Sequence, residues 1–322
     1  MCKKIIAFCV ESSHARGMGH LFRALNLALY FRENDIESVF LLNDDLKSCE
    51  IITQNKFKFK IVNLSLFNGE IEQKIIRECS IKLWINDRFS TSEKHAIGIK
   101  DCKIPLVTFD DVGLGGSYAD IHISALNEAP QKNLRLANQK IYAGEKYLIL
   151  NKRISEFRRL RDKLSKIVIA MGGSDTHGTT LKILKKLIDK KIPATIIMGP
   201  LFDHREELYS LVTDDYLIKD SVECLVEEFY NYDLAFTGGG ITAFEAAACG
   251  LPTCIIANET FEIRNALFLE KIGCSLFLGH HSMIDLNAKI DNIDILSMSK
   301  KCFEQTFDGT SVIANEILKL IE

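Results

Sequence analysis

The feature that most constrains this chain is an alternation: short apolar runs, each followed by a longer amphipathic stretch, carried almost end to end. That pattern builds βα units around a mainly parallel sheet. In the first half the expected strands are Ile5–Val10, Ser38–Leu42, Phe59–Val62, Leu83–Ile85, Leu106–Phe109 and Ile121–Ser124. Between the first two lies the clearest helix, His20–Arg32, where Leu21, Leu25, Ala28 and Leu29 share a face. The pattern restarts with Ile167–Met171, Ala194–Met198, Tyr216–Ile218, Leu234–Thr237 and Thr253–Ile256. Between the halves, Arg153–Lys166 is dense in arginine and lysine and reads as an exposed helix and linker; a solvated helix within one domain is the alternative. The expected domains are therefore 1–152 and 153–322, both Rossmann-like, with a closing helix over 311–321.

A length of 322 residues suits two domains, and a hydrophobic fraction of 47% can fill two cores. The formal charge is only −3, with lysine and arginine spread along the chain, so nucleic acid is not the expected partner. No apolar run reaches the roughly 18–20 residues of a membrane-spanning helix. The apolar start ends at Glu11 without a small-residue cleavage site and reads as a strand rather than a signal peptide. The ten cysteines form no CxxC or Cys/His cluster, and Cys9, Cys254 and Cys274 sit in apolar runs. That is a reducing, cytoplasmic pattern with no structural metal. The expected state is a monomer or weak dimer.

In open α/β sheets ligands bind beyond the carboxyl ends of the strands. Three glycine loops stand there. Arg16-Gly17-Met18-Gly19-His20 opens the first helix, where unpaired N–H groups suit an anion. It lacks the third glycine of a dinucleotide fingerprint and the Gly-Lys-Ser/Thr of a P-loop, so neither NAD nor ATP follows, and no cofactor is expected. His20 at a helix start suits a general base; a plain cap residue is the competing reading. Met171-Gly172-Gly173-Ser174-Asp175 could wrap a diphosphate with backbone amides, or be a turn with a helix cap. Gly238-Gly239-Gly240-Ile241-Thr242 precedes another helix, with Glu245 just inside it. Its carboxylate could accept from both ribose hydroxyls, or serve only the helix dipole.

Gly17-Met18-Gly19-His20 with Arg23, Phe109-Asp110-Asp111, Met171–Asp175 and Gly238-Gly239-Gly240 with Glu245 occur in that order. Together they resemble the PseG/SpsG family, related to the MurG-like glycosyltransferases, from about Ile5 to Gly273. The resemblance implies the GT-B arrangement, an α/β fold of two Rossmann-like domains facing across a cleft. It also implies hydrolysis of a UDP-linked diacetamido-trideoxy-hexose to UDP and free sugar, on the way to pseudaminic-type acids or a surface glycan. His20 and Asp87 then fall at catalytic positions. Gly17, Gly19, Arg23, Asp110, Asp111 and Asn258 fall on the sugar side; Gly172, Gly173, Ser174, Gly239, Gly240, Ile241, Thr242 and Glu245 on the nucleotide side. No metal is implied, and the partner is a nucleotide-sugar.

The sequence departs from the family in three places. The family's Asp-x-Tyr reads Asp87-Arg88-Phe89, an expected Asn-Gln pair reads Asn258-Glu259, and an arginine of the joining segment is Asn151. Three alternatives stand beside the hydrolase: a glycosyltransferase, for which Lys56, Phe57 and Lys58 are the one hint of an acceptor patch; a non-catalytic nucleotide-sugar-binding protein; and a metal-holding role for Asp110-Asp111. His14 has no supporting neighbour, His280-His281 reads as exposed, and Trp84 reads as core.

Overall fold

The computed structural model describes residues 4–11, 18–126, 139–220, 222–284, 293–307 and 309–322. The chain divides into two units, Met1–Leu150 with Phe307–Glu322, and Asn151–Thr306.

In the first unit, β1 (Ile5–Val10), β2 (Glu37–Leu42), β3 (Lys58–Ile61), β4 (Ile81–Asp87), β5 (Leu106–Phe109), β6 (Ile121–Ser124) and β7 (Lys140–Ala143) form one parallel sheet. Its order is β3-β2-β1-β4-β5-β6-β7. The interior strands bury both faces, which is why β1 reads as an unbroken apolar run. β3 is the exception: it lies at the sheet edge, with all four residues exposed. Helices α1 (Gly19–Glu33), α2 (Leu46–Gln54), α3 (Glu70–Cys79) and α4 (Glu93–Asp101) provide the crossovers. Trp84 is fully buried, as its apolar context implies.

The second unit opens with a short helix, α5 (Ile154–Phe157). Its sheet is built from β8 (Ile167–Ala170), β9 (Ala194–Met198), β10 (Tyr216–Asp220), β11 (Leu234–Thr237), β12 (Thr253–Ala257), β13 (Ser275–His280) and β14 (Met283–Ile284). The order is β10-β9-β8-β11-β12-β13-β14, the same permutation as in the first unit; only the β13–β14 pair is antiparallel. The helices between are α6 (Thr179–Asp189), α7 (Arg205–Leu211), α8 (Leu225–Phe229), α9 (Ile241–Ala248), α10 (Glu262–Lys271) and α11 (Ile295–Phe303). A strand order that steps outward, returns to its first strand and proceeds the other way is the doubly wound arrangement.

Two expectations are corrected. The closing helix does not belong to the second unit: α12 (Thr310–Leu318) buries Ile313, Ala314 and Ile317 and packs on α1. Tyr142 donates its hydroxyl to Glu316 Oε2 at 2.6 Å, and Gly309 N–H donates to the Leu148 carbonyl at 2.8 Å. A C-terminal helix carries no sequence mark of the domain that receives its apolar face. Nor is Arg153–Lys166 an exposed helix, since only α5 is helical there and Arg161 is fully buried. Its guanidinium donates to the carbonyls of Tyr232 (3.1 Å), Arg159 (2.6 Å), Phe229 (2.8 Å) and Cys249. The last two are the final residue of α8 and the C-cap of α9, where helical carbonyls lack partners. Burial pushes the Arg161 pKa down to about 10. A run of charge reads as solvated until helix ends that need a cation come into view.

Candidate functional site

A doubly wound sheet opens a crevice where its strand order reverses, at the carboxyl ends of the two central strands. In the first unit those strands are β1 and β4. Asp87 is the last residue of β4, and His20 is the second residue of α1, which follows β1. Arg23 lies one turn along α1, on the same face as His20. Asp110 follows β5 immediately.

These four side chains form one bonded group. His20 Nδ1 lies 2.6 Å from Asp87 Oδ1. Arg23 clamps the same carboxylate with two bonds, Nε to Oδ2 at 2.8 Å and Nη2 to Oδ1 at 2.6 Å. Its Nη1 donates to Asp110 Oδ2, and its guanidinium lies over the Phe109 ring at 5.0 Å. Arg23, Asp87 and Asp110 are at most 4% exposed, whereas the His20 side chain is 19% exposed. The carboxylates are therefore walled in, and the imidazole is the member that reaches solvent. Burial opposes ionisation of Asp87, but the Arg23 charge, the Arg23 hydrogen bonds and His20 outweigh it and hold the carboxyl below the usual range. Against a carboxylate, the imidazole carries its proton on Nδ1, which leaves the Nε2 lone pair for chemistry. A plain cap residue would need none of this support.

Asp110 and Asp111 are adjacent in sequence but serve different partners. Asp111 Oδ1 accepts from the N–H groups of Thr91 (2.9 Å) and Gly113 (2.8 Å), while Oδ2 is buried without a partner. Burial raises its pKa. Asp110 is tied to Arg23 and Asp111 to backbone N–H groups, and among the described residues no group of three or more His, Cys, Asp or Glu is placed to hold a metal ion. Phe89 is 38% exposed and brings no hydroxyl. Gly17 and His14 lie outside the described residues.

The corresponding crevice of the second unit lies between β8 and β11, and both of its loops are glycine loops. Gly172 has φ +96°, a conformation open to glycine. Ser174 Oγ lies 3.2 Å from Thr176 Oγ1. Asp175 then caps α6, its two oxygens accepting from Thr179 N–H and Thr180 N–H at 2.8 Å each. The protein's own carboxylate thus fills the N-terminus of α6, which leaves the backbone of Gly172–Ser174 as what this loop could offer a ligand.

The other loop differs. The N-cap of α9 is Gly240, no side chain caps it, and its first turn carries no acid. N–H groups at such an end point at an anion site. The loop is clasped from beneath by Glu262, whose Oε2 accepts from Gly239 N–H (3.2 Å) and Asn258 N–H (2.7 Å). Asn265 Nδ2 donates to the Gly239 carbonyl at 3.0 Å. A Cβ on Gly239 would stand 2.6 Å from the Glu262 carbonyl oxygen, so only glycine fits. Asn258 lies against this loop, but its Oδ1 accepts from Thr179 Oγ1 at 3.0 Å, tying the two loops together. Glu262 and Asn265 were missed in the sequence. Their one signal was position, at the start of the helix after the strand that flanks the glycine loop.

Ile241 and Thr242 form the first turn of α9. Glu245 is its fifth residue, one turn too far along to serve the dipole at its N-terminus. Burial pushes its carboxyl up to about 7, against a backbone N–H from Asn151 that lowers it. Asn151 brings that carboxyl a backbone hydrogen bond but no charge.

Two seven-stranded sheets of one strand order, with helical crossovers, define the GT-B class of fold. Comparisons with known proteins place the chain within that class. MurG of Acinetobacter baumannii matches with a TM-score of 0.67 at 15% identity, over 98% of this chain and 99% of that one. MnaA of S. aureus, solved with UDP, matches at 0.62 and 13% identity, over 99% and 98%. By sequence the chain is a distant relative of the spore coat polysaccharide biosynthesis protein SpsG of Bacillus subtilis, 23% identical over 306 residues (85% of this chain, 83% of SpsG). An uncharacterised protein of Methanocaldococcus jannaschii is 29% identical over 276 residues, 80% of this chain but 56% of that protein, so the match spans little more than half of that relative. No family model matches. No helix among the described residues is long and apolar enough to cross a membrane.

Proposed function

We propose that this chain is a nucleotide-sugar hydrolase, acting on a UDP-linked sugar of the acetamido-deoxy-hexose class and releasing UDP and free sugar. The observation that carries the reading is the held imidazole: His20 is oriented by Asp87, which is itself clamped and kept ionised by Arg23. In the reaction a water gives its proton to His20 Nε2 as its oxygen bonds the anomeric carbon. The bond from that carbon to the phosphate oxygen breaks, and the electron pair leaves with UDP. One displacement inverts the anomeric configuration. Asp87 stabilises the imidazolium that forms, as an orienting carboxylate does in acid–base pairs. The uncapped N–H groups of Ile241 and Thr242 receive the diphosphate and its growing charge. Glu245 accepts from the ribose hydroxyls. Further support comes from relatives: SpsG takes its name from polysaccharide biosynthesis, and MnaA was solved with UDP.

A glycosyltransferase is the second reading, and one observation favours it. Phe89, Val112 and Leu114 are 38%, 58% and 58% exposed beside Asp87 and Asp111, and Val112 N–H donates to the Phe89 carbonyl at 3.1 Å. Such an apolar surface suits an acceptor with an apolar part. A purely binding protein accounts for the α9 loop but not for the His20–Asp87–Arg23 group. The deciding experiment incubates the protein with UDP-, CMP- and GDP-sugars, with and without chelator, and follows nucleotide and free sugar. Stoichiometric free sugar, insensitive to chelator, supports hydrolysis. Nucleotide release only when an acceptor is added supports transfer, and none from any donor removes both.

A further inference from the structure

We infer that His95 is a positioning residue for the reaction: through Asn86 and Thr91 it sets the loops that carry Asp87 and Asp110, the two carboxylates that hold Arg23. The inference rests on the proposed function, because it takes His20 as the base that those carboxylates serve. It begins in a buried polar core beneath the site. His95, the third residue of α4, is fully buried, as are Glu72 of α3, Trp84 and Asn86 of β4, and Thr91. The Phe67 ring stacks on the imidazole at 4.9 Å and the Trp84 indole meets it edge-on at 5.6 Å, which fixes the plane of the ring. Asn86 precedes Asp87 on β4, so the two side chains leave opposite faces of the sheet.

The donors and acceptors of this core can be assigned from one end. An indole N–H only donates, and Trp84 Nε1 donates to Asn86 Oδ1 at 2.8 Å. That fixes the amide, so Asn86 Nδ2 turns its two N–H bonds to Thr91 Oγ1 and to His95 Nε2, each at 3.0 Å. His95 Nε2 also lies 3.2 Å from Asn86 Oδ1, the oxygen that already serves the indole. His95 therefore carries one proton, on Nδ1, and donates it to Glu72 Oε1 at 2.7 Å; Glu72 Oε2 accepts from Gly69 N–H at 2.9 Å. The charged groups that act on the ring are Glu72 and Arg88. Burial, together with the Arg88 charge, outweighs Glu72 and holds the His95 pKa below the usual range. A second proton, on Nε2, would set N–H against N–H, turn Asn86 and release Thr91.

Thr91 is where the core reaches the site. Its N–H donates to Asp111 Oδ1 at 2.9 Å, its carbonyl accepts from Gly115 N–H at 2.9 Å, and Val112 N–H donates to the Phe89 carbonyl at 3.1 Å. These bonds stitch the loop that leaves Asp87 to the loop that leaves Asp110. Asp87 and Asp110 head the two loops, and Arg23 joins them. A shift of the stitched loops moves the carboxylate that orients His20, and a misplacement of about 1 Å can cost about 10²-fold in rate.

The test is made on the full chain, by NMR of the histidine ring nitrogens and by turnover. Thr91→Val keeps the shape of the side chain, removes the acceptor that Asn86 uses and leaves the His95–Glu72 bond in place. Thr91→Ser keeps the hydroxyl, and Thr91→Ala replaces Thr91→Val should that variant not fold. In the wild type, His95 is expected to stay neutral with its proton on Nδ1 between about pH 5 and 8. Thr91→Val is expected to lower kcat about 10–100-fold with KM for the donor and UDP affinity unchanged. It should also leave His20 as a mixture of tautomers, and Thr91→Ser should restore both the rate and the single His20 tautomer. A His95 proton on Nε2, or titration of His95 within that range, would overturn the inference. So would a Thr91→Val protein that melts earlier yet keeps the wild-type kcat and His20 tautomer, which is what a merely structural role gives. The tautomers are read without substrate, so a chain that turns over no donor fails the hydrolase reading while the coupling of Thr91 to His20 is still decided.

Discussion

The two units share a strand order and place a crevice at the same topological point, yet they furnish it with opposite materials. In the first, the crevice between β1 and β4 is built of polar side chains, His20, Arg23, Asp87 and Asp110, locked to one another. In the second, the crevice between β8 and β11 is built of backbone: glycine loops, an uncapped helix end and a half-buried Glu262 holding the loop from below. The fold fixes where a ligand can sit, and the residues at that place fix what can be done to it. On the proposed function the second unit binds with backbone and should tolerate no added side chain, and the first reacts through side chains and should tolerate no lost one.

The largest effect expected from that contrast is in the first unit. His20→Ala should lower turnover about 10²–10⁴-fold, the range for loss of a general base, and Asp87→Asn should fall in the same range by losing the imidazole's orientation. UDP affinity, measured by calorimetry, should not change in His20→Ala. Weakened UDP binding there would end the division of labour between the units. Asp87→Asn has a second signature, because it leaves the buried Arg23 with Asp110 alone. Removing one partner of a buried ion pair costs about 3–5 kcal/mol, so its melting temperature should drop while that of His20→Ala holds.

In the second unit, Gly239→Ala is the sharpest probe. Its Cβ would stand 2.6 Å from the Glu262 carbonyl and 2.8 Å from the Glu262 Cβ, so the loop must shift. Overpacking of this kind costs about 1–3 kcal/mol. UDP affinity should fall on the order of tenfold, while turnover at saturating donor stays near wild type. A variant that keeps its affinity and loses turnover would assign this loop to catalysis instead.

How much of this was legible beforehand follows from what each residue depends on. The interior strands were, because burial on both faces leaves an unbroken apolar run such as Ile5–Val10. β7 and β13 were not, since each is only partly buried and its sequence mixes polar with apolar residues. His20, Arg23, Asp87 and Asp110 were named, but not their bonds, which join α1, β4 and the residue after β5 over separations of up to 87 residues. The Gly172 loop shows the reverse: Gly-Gly-Ser-Asp fits a phosphate loop and a capped turn equally. Only the bonds from Thr179 and Thr180 to Asp175 show that the helix end is filled. Arg161 and Glu262 escaped for one reason: a charged side chain satisfied by backbone has no partner to find in the sequence.

The smallest effect, and the one that sharpens the comparison most, concerns Glu245, the one titratable side chain proposed to touch ligand in the backbone-built unit. Burial pushes its carboxyl to about 7 from 4.5. The unfolded chain therefore releases this proton near pH 4.5 and the folded chain only near 7. Between those values the unfolded state binds fewer protons, so this group's contribution to stability falls as pH rises through the window and levels off above it. Glu245→Gln should remove that slope and be the more stable form at pH 8, by at most about 3 kcal/mol, less where solvent reaches the group. Binding should move the other way, because the carboxylate is the form that accepts from two ribose hydroxyls. Wild-type affinity for UDP should climb through pH 7 and then level off. Glu245→Gln should bind about tenfold more weakly at pH 8 and converge with wild type by pH 5.5, since hydrogen bonds to a charged group contribute about 1.5–3 kcal/mol. With 2′,3′-dideoxyuridine diphosphate the wild-type climb should disappear. If the ratio of the two proteins' UDP affinities is the same at pH 5.5 and pH 8, Glu245 does not read the ribose. The second unit would then bind its nucleotide through backbone alone.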